Sequence, residues 1–145
     1  MNVFKDFEAK IHDALNQLVQ AGDLPSGLDF SRITVEPPRD PSHGDVSTNA
    51  AMILAKPAGK PPRAIAEALV ARLKDTASVT EASVAGPGFV NLRIDTGLWL
   101  SRLADILNLG AAFGSSSLGA GRPVNVEYVS ANPTEIGRAS CRERV

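Results

Sequence analysis

Two polar side chains, those of Ser130 and Asn132, have the types and spacing of a small-molecule binding site. They follow residues 123–129, a run typical of a β-strand. In open α/β folds ligands bind beyond the carboxyl ends of the strands, and an asparagine amide offers hydrogen-bond donors as well as acceptors. The alternative interpretation is structural, because Asn132-Pro133 is also a common turn dipeptide.

A second candidate for binding chemistry is the middle of the chain, its most basic part. Phosphates are contacted by Lys and Arg with little dependence on sequence, so these side chains predict contact with a nucleic acid. The candidate contacts are Arg39, Lys56, Lys60 and Arg63. Unpaired bases are usually held by stacking on aromatic rings, for which Phe30 and Phe89 are nearest in the sequence. The alternative is scattered charge that only solvates the surface.

Other motifs predict structure rather than chemistry. His43-Gly44-Asp45 holds one of the two histidines, but a metal site needs three or four convergent ligands. We therefore expect Asp45 to be a loop or capping residue, and we assign no metal ligand and no catalytic residue. Gly86-Pro87-Gly88 lacks the Gly-Lys-Ser/Thr of a phosphate loop and predicts a tight reversal.

The composition of the chain excludes several classes of protein. Its 145 residues, with 43% apolar and 21% charged side chains, are typical of a globular protein with a buried core. A net charge of −1 argues against a strongly basic arm or an acidic tail. We find no apolar run of about 18 residues, no signal-peptide pattern and one cysteine, Cys141, which cannot form an internal disulfide. A cytoplasmic protein is expected.

Apolar residues spaced three or four apart predict four helices that would position these groups. The first begins near Val3 and ends near Gly22, which suits a C-cap. The second, from Asn49 to Lys56, is capped by Ser47 or Thr48 and ended by Pro57. The third opens at Pro61-Pro62, and the fourth is capped by Asp95 or Thr96. The inward-facing residues are Val3 or Phe4, Phe7, Ile11, Leu15 and Leu18 in the first, Ile65, Leu69 and Leu73 in the third, and Trp99, Leu103, Ile106 and Leu107 in the fourth.

Strands are predicted near residues 33–36, 81–85 and 89–94, the last two joined as a hairpin. The predicted fold class is α+β, with helices packed on a small antiparallel sheet over residues 1–110. Residues 111–122 are rich in glycine and serine and predict a linker. Residues 123–134 would then begin a further domain, because a lone strand cannot bury its faces.

Three segments, taken in order, resemble the class I arginyl-tRNA synthetases. Residues 43–56 are similar to the N-terminal additional domain of that family, and so are residues 84–91, Val-Ala-Gly-Pro-Gly-Phe-Val-Asn. Residues 124–134, Val-Asn-Val-Glu-Tyr-Val-Ser-Ala-Asn-Pro-Thr, are similar to the opening strand of its Rossmann-like catalytic domain. The resemblance covers residues 1–134.

This resemblance implies an enzyme that attaches arginine to its tRNA with ATP and Mg²⁺, and that is a monomer without membrane contact when intact. Residues 1–110 would be a tRNA-binding domain that touches the tRNA near its D-loop. Ser130 and Asn132 would help to hold arginine. The ATP-binding signature would begin with Ala131, Asn132, Pro133 and Thr134.

The resemblance stops after residue 134. The family continues with Gly-Pro-Leu-His-x-Gly-His, whereas residues 135–145 read Glu-Ile-Gly-Arg-Ala-Ser-Cys-Arg-Glu-Arg-Val. Residues 136–145 are the translation of a common short-read sequencing adapter up to its stop codon, and the Glu135 codon would begin with the G of the expected glycine codon, so we expect residues 135–145 to be an artefactual tail. A chain truncated before the histidine signature is expected to be inactive in aminoacylation and to bind ATP poorly.

Two alternatives stay open at this point. The chain could be a stand-alone RNA-binding module, which RNA binding and an authentic stop codon would favour. It could also be a partner-binding α+β domain without catalysis, which would be favoured if the strand at 124–129 paired with another chain.

Overall fold

A computed structural model describes residues 2–115, 117 and 119–123. The chain divides into two compact units, residues 1–107 and residues 108–145. The helices are α1 (Val3–Gln20), α2 (Ala50–Ala58), α3 (Pro62–Leu73) and α4 (Thr96–Leu109), and the strands are β1 (Val35–Glu36), β2 (Val46–Thr48), β3 (Val79–Ala85) and β4 (Phe89–Ile94). Short 3-10 turns lie at Pro41–His43 and Gly110–Ala112. The predicted α+β class, with helices on a small antiparallel sheet, is confirmed.

Helix α1 forms as its apolar spacing predicts. The side chain of Asn2 accepts a hydrogen bond from the Phe4 N–H at 3.0 Å and so caps the first turn. Phe7, Ile11, Leu15 and Leu18 of the predicted stripe are buried and Ala14 joins them, whereas Val3 and Phe4 are half-buried. The helix is capped at Ala21, and Gly22 adopts a positive φ of 81° one residue beyond that cap.

The four strands form one antiparallel sheet in the order β1-β2-β4-β3. The three predicted strands are present, and the β3–β4 hairpin is confirmed. Strand β2 is missing from the prediction, which assigns Ser47 and Thr48 to a helix cap. Both roles coexist at Thr48, whose side-chain oxygen accepts from the Ala50 N–H at 3.3 Å. Three residues are too few for alternation to reveal a strand, and β2 is defined by its two neighbours.

Helix α2 corrects a second prediction. Pro57 does not end it, and the helix continues to Ala58. Because Pro57 lies in the last turn, its missing N–H costs a single helical hydrogen bond. Gly59, with a φ of 62°, then reverses the chain, and the N–H groups of Gly59 and Lys60 close onto the last carbonyls of the helix.

The core lies between the helices and one face of the sheet. The predicted α3 stripe of Ile65, Leu69 and Leu73 is buried, as is Leu54 of α2. The sheet supplies alternate residues to the same core, namely Val46, Ala82, Val90, Leu92 and Ile94. One layer of helices therefore covers one side of the sheet.

Helix α4 is where the prediction of inward-facing residues is wrong. Leu103 is 55% exposed and Leu107 81% exposed, Trp99 is also exposed, and Ile106 is half-buried. The helix contacts the rest of the chain through Leu98, which packs against the core, and through Arg102, which forms an ion pair with Asp6 of α1. Asp95 caps it as predicted, since its side chain accepts from the Gly97 N–H at 2.7 Å. Among the described residues, no helix is long and apolar enough to cross a bilayer.

Candidate functional site

The face of the sheet opposite the core carries a row of polar side chains across all four strands. The strand registers place Glu36, Ser47, Asn91 and Ser83 side by side, in that order. Because successive residues of a strand point to opposite faces, the neighbouring row faces the core and consists of Val35, Thr48, Val90 and Val84. A solvated outer face of an antiparallel sheet is ordinarily polar, but Asn91 in this row is only 4% exposed, and the burial of its amide needs an explanation.

An open cleft of about 220 Å³ lies on this outer face. The 3-10 turn contributes Ser42 and His43, and β3 and β4 contribute Glu81, Ser83, Asn91 and Arg93. One water needs only about 10–15 Å³, so the cleft accepts a much larger group. Within the part of the chain that the structure describes, we find no hydrogen bond to the side-chain amide of Asn91, although the residue is only 4% exposed.

The segment His43-Gly44-Asp45 fixes the wall of this cleft. Gly44, with a φ of 114°, approaches β4 so closely that a Cβ would lie 2.6 Å from the Leu92 carbonyl oxygen. The Asp45 N–H donates to that oxygen at 2.8 Å, and the Asp45 carboxylate accepts from the Ile94 N–H at 2.8 Å. Asp45 is therefore a loop residue, the first of the two expected roles, and its carboxylate binds the end of β4 rather than capping a helix. His43 lines the cleft.

The turn itself is closed by Asp40. Its carboxylate accepts a hydrogen bond from the Ser42 N–H at 2.9 Å. This backbone hydrogen bond, with a smaller contribution from the Ser42 hydroxyl, lowers the pKa of Asp40 below its ordinary value. The ionised carboxylate is thus the form that holds the turn over the sheet.

One aromatic ring stands beside the cleft. Phe89 begins β4, two residues before Asn91 and hence on the same face, and is 39% exposed. It pairs across the hairpin with Ala85, which lines the cleft. The other aromatic candidate, Phe30, is half-buried and packs against His12 of α1 with ring centroids 5.4 Å apart. Phe89 is therefore the ring available at this face.

The four predicted basic contacts do not line the cleft. Arg39 is exposed just before the 3-10 turn, and Lys56 is exposed in the last turn of α2. Lys60 donates to the Asp23 carbonyl oxygen and borders a second, mostly apolar cleft of about 230 Å³. Arg63 forms an exposed ion pair with Glu67 at 3.1 Å. The structure thus leaves these cations distributed around the domain.

Sequence reasoning missed Ser83 and Arg93, and it used Asn91 only as part of a family motif. A usable signal was present, because Phe89, Asn91 and Arg93 alternate with apolar residues along β4. The same period places Glu81 and Ser83 on one face of β3. The other predicted ligand residues, Ser130, Ala131, Asn132, Pro133 and Thr134, lie outside the described residues, as do the strand predicted at 124–129 and residues 135–145.

Comparison with known proteins gives a consistent result. The model of the arginyl tRNA synthetase N terminal domain matches residues 5–94. The arginine–tRNA ligase of Parvibaculum lavamentivorans is 59% identical, and that of Rhizobium etli 60% identical, each over 134 residues. In both cases the match covers 92% of this chain but 23% of the relative. The chain thus spans about a quarter of the length of these relatives.

A solved structure agrees at the level of the fold. The arginyl-tRNA synthetase from Plasmodium falciparum superimposes on 70% of this chain and 17% of its own chain, with a TM-score of 0.56 and 14% sequence identity. The 134 residues matched in the ligases extend further than the domain match at residues 5–94. A stand-alone or partner-binding module is therefore not favoured.

Proposed function

The chain belongs to the arginyl-tRNA synthetase family as its N-terminal domain, and on that premise we propose that the outer face of its sheet binds an unpaired base of tRNA. One observation carries the proposal. Phe89, an exposed aromatic ring, lies on the same face of β4 as Asn91, an amide of the cleft lining that has no hydrogen-bond partner among the described residues. Stacking on a ring and hydrogen bonds to a base edge are the usual means of holding a single-stranded base.

The chemistry of each group fits this role. A half-exposed ring offers a flat apolar surface on which any base can stack. The Asn91 amide carries two donors and an acceptor, which suits the mixed donor and acceptor pattern of a base edge. Ser47 and Ser83, on either side of Asn91, can each donate or accept. The site thus needs no metal and no catalytic group.

An unpaired base suits this cleft better than a duplex does. A base inside an A-form helix presents neither its face nor its Watson–Crick edge to a protein. The resemblance to the family implies contact near the D-loop of the tRNA, which supplies unpaired bases. We therefore assign the cleft to a loop nucleotide of tRNA.

The predicted cations have a separate, weaker role in this proposal. Arg39 lies three residues before Ser42 of the cleft wall, and Lys56 and Lys60 frame the end of α2. Phosphate contacts by such side chains add affinity without choosing a sequence. Lys60 and Arg63 would exchange their present partners, the Asp23 carbonyl and the Glu67 carboxylate, for phosphate.

For the whole enzyme we propose the activity named in its relatives, ligation of arginine to tRNA. We further propose that it acts in the cytoplasm as a monomer, as the family resemblance implies. ATP with Mg²⁺ supplies the activation of the arginine carboxylate. In this reading Ser130 and Asn132 help to hold arginine, and residues 131–134 begin the ATP signature. No described residue takes part in that step, so this chain is proposed to bind tRNA without catalysing aminoacylation.

We further propose that residues 135–145 derive from adapter DNA. A match over 134 of the 145 residues supports this, because it is the length expected if the eleven residues 135–145 have no counterpart in the relatives. Sequencing the source gene across the codon for Thr134 tests the proposal. A gene that continues into Gly-Pro-Leu-His agrees with it, and an authentic stop after Val145 contradicts it.

Binding of an arginine-accepting tRNA transcript by the full 145-residue chain tests the proposed function. We expect micromolar, salt-sensitive binding by fluorescence anisotropy. Phe89→Ala and Asn91→Ser should each weaken binding about tenfold, as expected for one lost stacking or base-edge contact. The matched controls are Phe113→Ala, an exposed ring elsewhere, and Asn16→Ser, an exposed amide on α1. No binding by the unaltered chain, or equal losses in the controls, would contradict the proposal.

A further inference from the structure

One arginine on the outer face of the sheet is already held in position. Nη2 of Arg93 donates a hydrogen bond to the Ser42 carbonyl oxygen at 3.2 Å. Its Nε lies 3.5 Å from the carboxylate of Glu81, the residue opposite it on β3. These contacts come from a strand and from a turn that Gly44 and Asp45 fasten to β4. The Ser42 contact, which a ligand bound at Nη1 leaves in place, positions the guanidinium so that it loses less conformational entropy on binding.

The same guanidinium has N–H donors that remain available for a ligand. An arginine has five N–H donors, and Nη1, which carries two of them, makes no hydrogen bond to any residue that the structure describes. The side chain is 49% exposed. Arg93 is also the only Lys or Arg among the described residues that line the cleft. It is therefore the cation that can meet an anion entering with a base.

The spacing along β4 matches one nucleotide. Asn91 and Arg93 are two residues apart on the same face, which corresponds to about 7 Å along a strand. A base held at Phe89 and Asn91 brings its own sugar and phosphate within that range. Planar guanidinium groups bind phosphate through two parallel N–H donors.

We infer that Arg93 binds the backbone phosphate of the nucleotide whose base enters the cleft, an inference that rests on the proposed function. Glu81 holds Arg93 when the cleft is empty of RNA, and the phosphate competes with its carboxylate. An exposed ion pair of this kind contributes little to stability, so the exchange is readily made. The four cations selected from the sequence contribute less, because they lie outside the cleft.

The test measures binding of the same arginine-accepting tRNA transcript at several salt concentrations, with the full chain. Arg93→Gln should lower the affinity about tenfold at low salt. It should also make the negative slope of log K against log salt shallower by roughly 0.7–0.9, because one fewer phosphate is neutralised and fewer counterions are released. Arg93→Lys keeps the charge and should restore the slope but only part of the affinity. The matched control is Arg72→Gln, an exposed arginine of α3 outside the cleft, which should change neither.

The outcomes separate this inference from the proposed function. If Phe89→Ala and Asn91→Ser weaken binding while Arg93→Gln behaves like Arg72→Gln, Arg93 is no phosphate contact and the base site stands. If the unaltered chain does not bind the transcript, both are overturned. Thermal unfolding of Arg93→Gln and Arg93→Lys shows whether each variant is folded, and one folded variant is enough for the test. An unchanged slope in Arg93→Gln, or a reduced slope in Arg93→Lys, would contradict the inference.

Discussion

Gly44 and Leu92 approach each other so closely that only glycine fits: a Cβ on Gly44 would lie 2.6 Å from the Leu92 carbonyl oxygen. The contact joins the turn at Pro41–His43 to the middle of β4, beside Asn91 and Arg93. The Asp45 N–H donates to the same oxygen. The cleft wall and the strand that carries the proposed base contacts are thus one rigid arrangement.

Gly44→Ala should destabilise the chain by about 3 kcal/mol, because the left-handed backbone and the steric overlap both add to the cost. Gly27→Ala is the matched control, since Gly27 has a φ of 79° and a Cβ added there would meet nothing within 4 Å. It should cost only about 1 kcal/mol from the backbone conformation. Urea unfolding followed by circular dichroism measures both. Equal losses would show that the approach to Leu92 is unimportant.

Truncation of a leucine should lower the free energy of unfolding much more in the core than on the exposed face of helix α4. Leu15→Ala should cost about 2–5 kcal/mol, because Leu15 is fully buried and its removal leaves a cavity. Leu107→Ala should change the free energy of unfolding by less than about 0.5 kcal/mol, since Leu107 is 81% exposed. Urea unfolding measures both variants. A large loss for Leu107→Ala would mean that this face of α4 is buried in solution.

The Asp40 carboxyl should titrate below its ordinary pKa of 3.8, chiefly because the Ser42 N–H stabilises the ionised form. Its contribution to stability is therefore present above pH 3.8 and is lost as the pH falls through the lowered pKa. Ser42→Ala removes the hydroxyl but keeps the backbone N–H, so the pKa should rise only in part. NMR titration of the carboxyl carbon measures this, and Ser31→Ala is a parallel case, because Ser31 lowers the pKa of Asp29 in the same way. Full recovery of the ordinary value in Ser42→Ala would assign the effect to the hydroxyl.

Glu81→Gln should tighten tRNA binding about two- to threefold at low salt, because it removes a negative charge that competes with phosphate for Arg93. The gain should fade as salt screens the charge. Asp13→Asn, the loss of an acid on α1 outside the cleft, is the control for net charge. Weaker binding by Glu81→Gln would mean that its carboxylate is needed to hold Arg93 for the phosphate.

The local sequence pattern was sufficient to predict those helices and strands that depend only on residues close to one another in the chain. The stripes of α1 and α3 follow from residues three and four apart, and the β3–β4 hairpin follows from Gly86 and Gly88 between two alternating runs. The family could also be identified from motifs alone. None of these features requires knowledge of a partner that is distant in the chain.

Features that join distant parts of the chain required the folded structure. Strand β2 exists because β1 and β4 flank it. The contacts of helix α4 with the rest of the chain, Arg102 with Asp6 and Leu98 with the core, likewise involve residues distant in sequence, and Leu103 and Leu107 are left exposed. The cleft likewise needs Ser42 and Arg93 in contact across about fifty positions of sequence. The periodicity of apolar residues predicts that a helix or strand has one apolar face. Which face meets the core is set by the free energy of burying it against a particular neighbour, and no local pattern contains that neighbour.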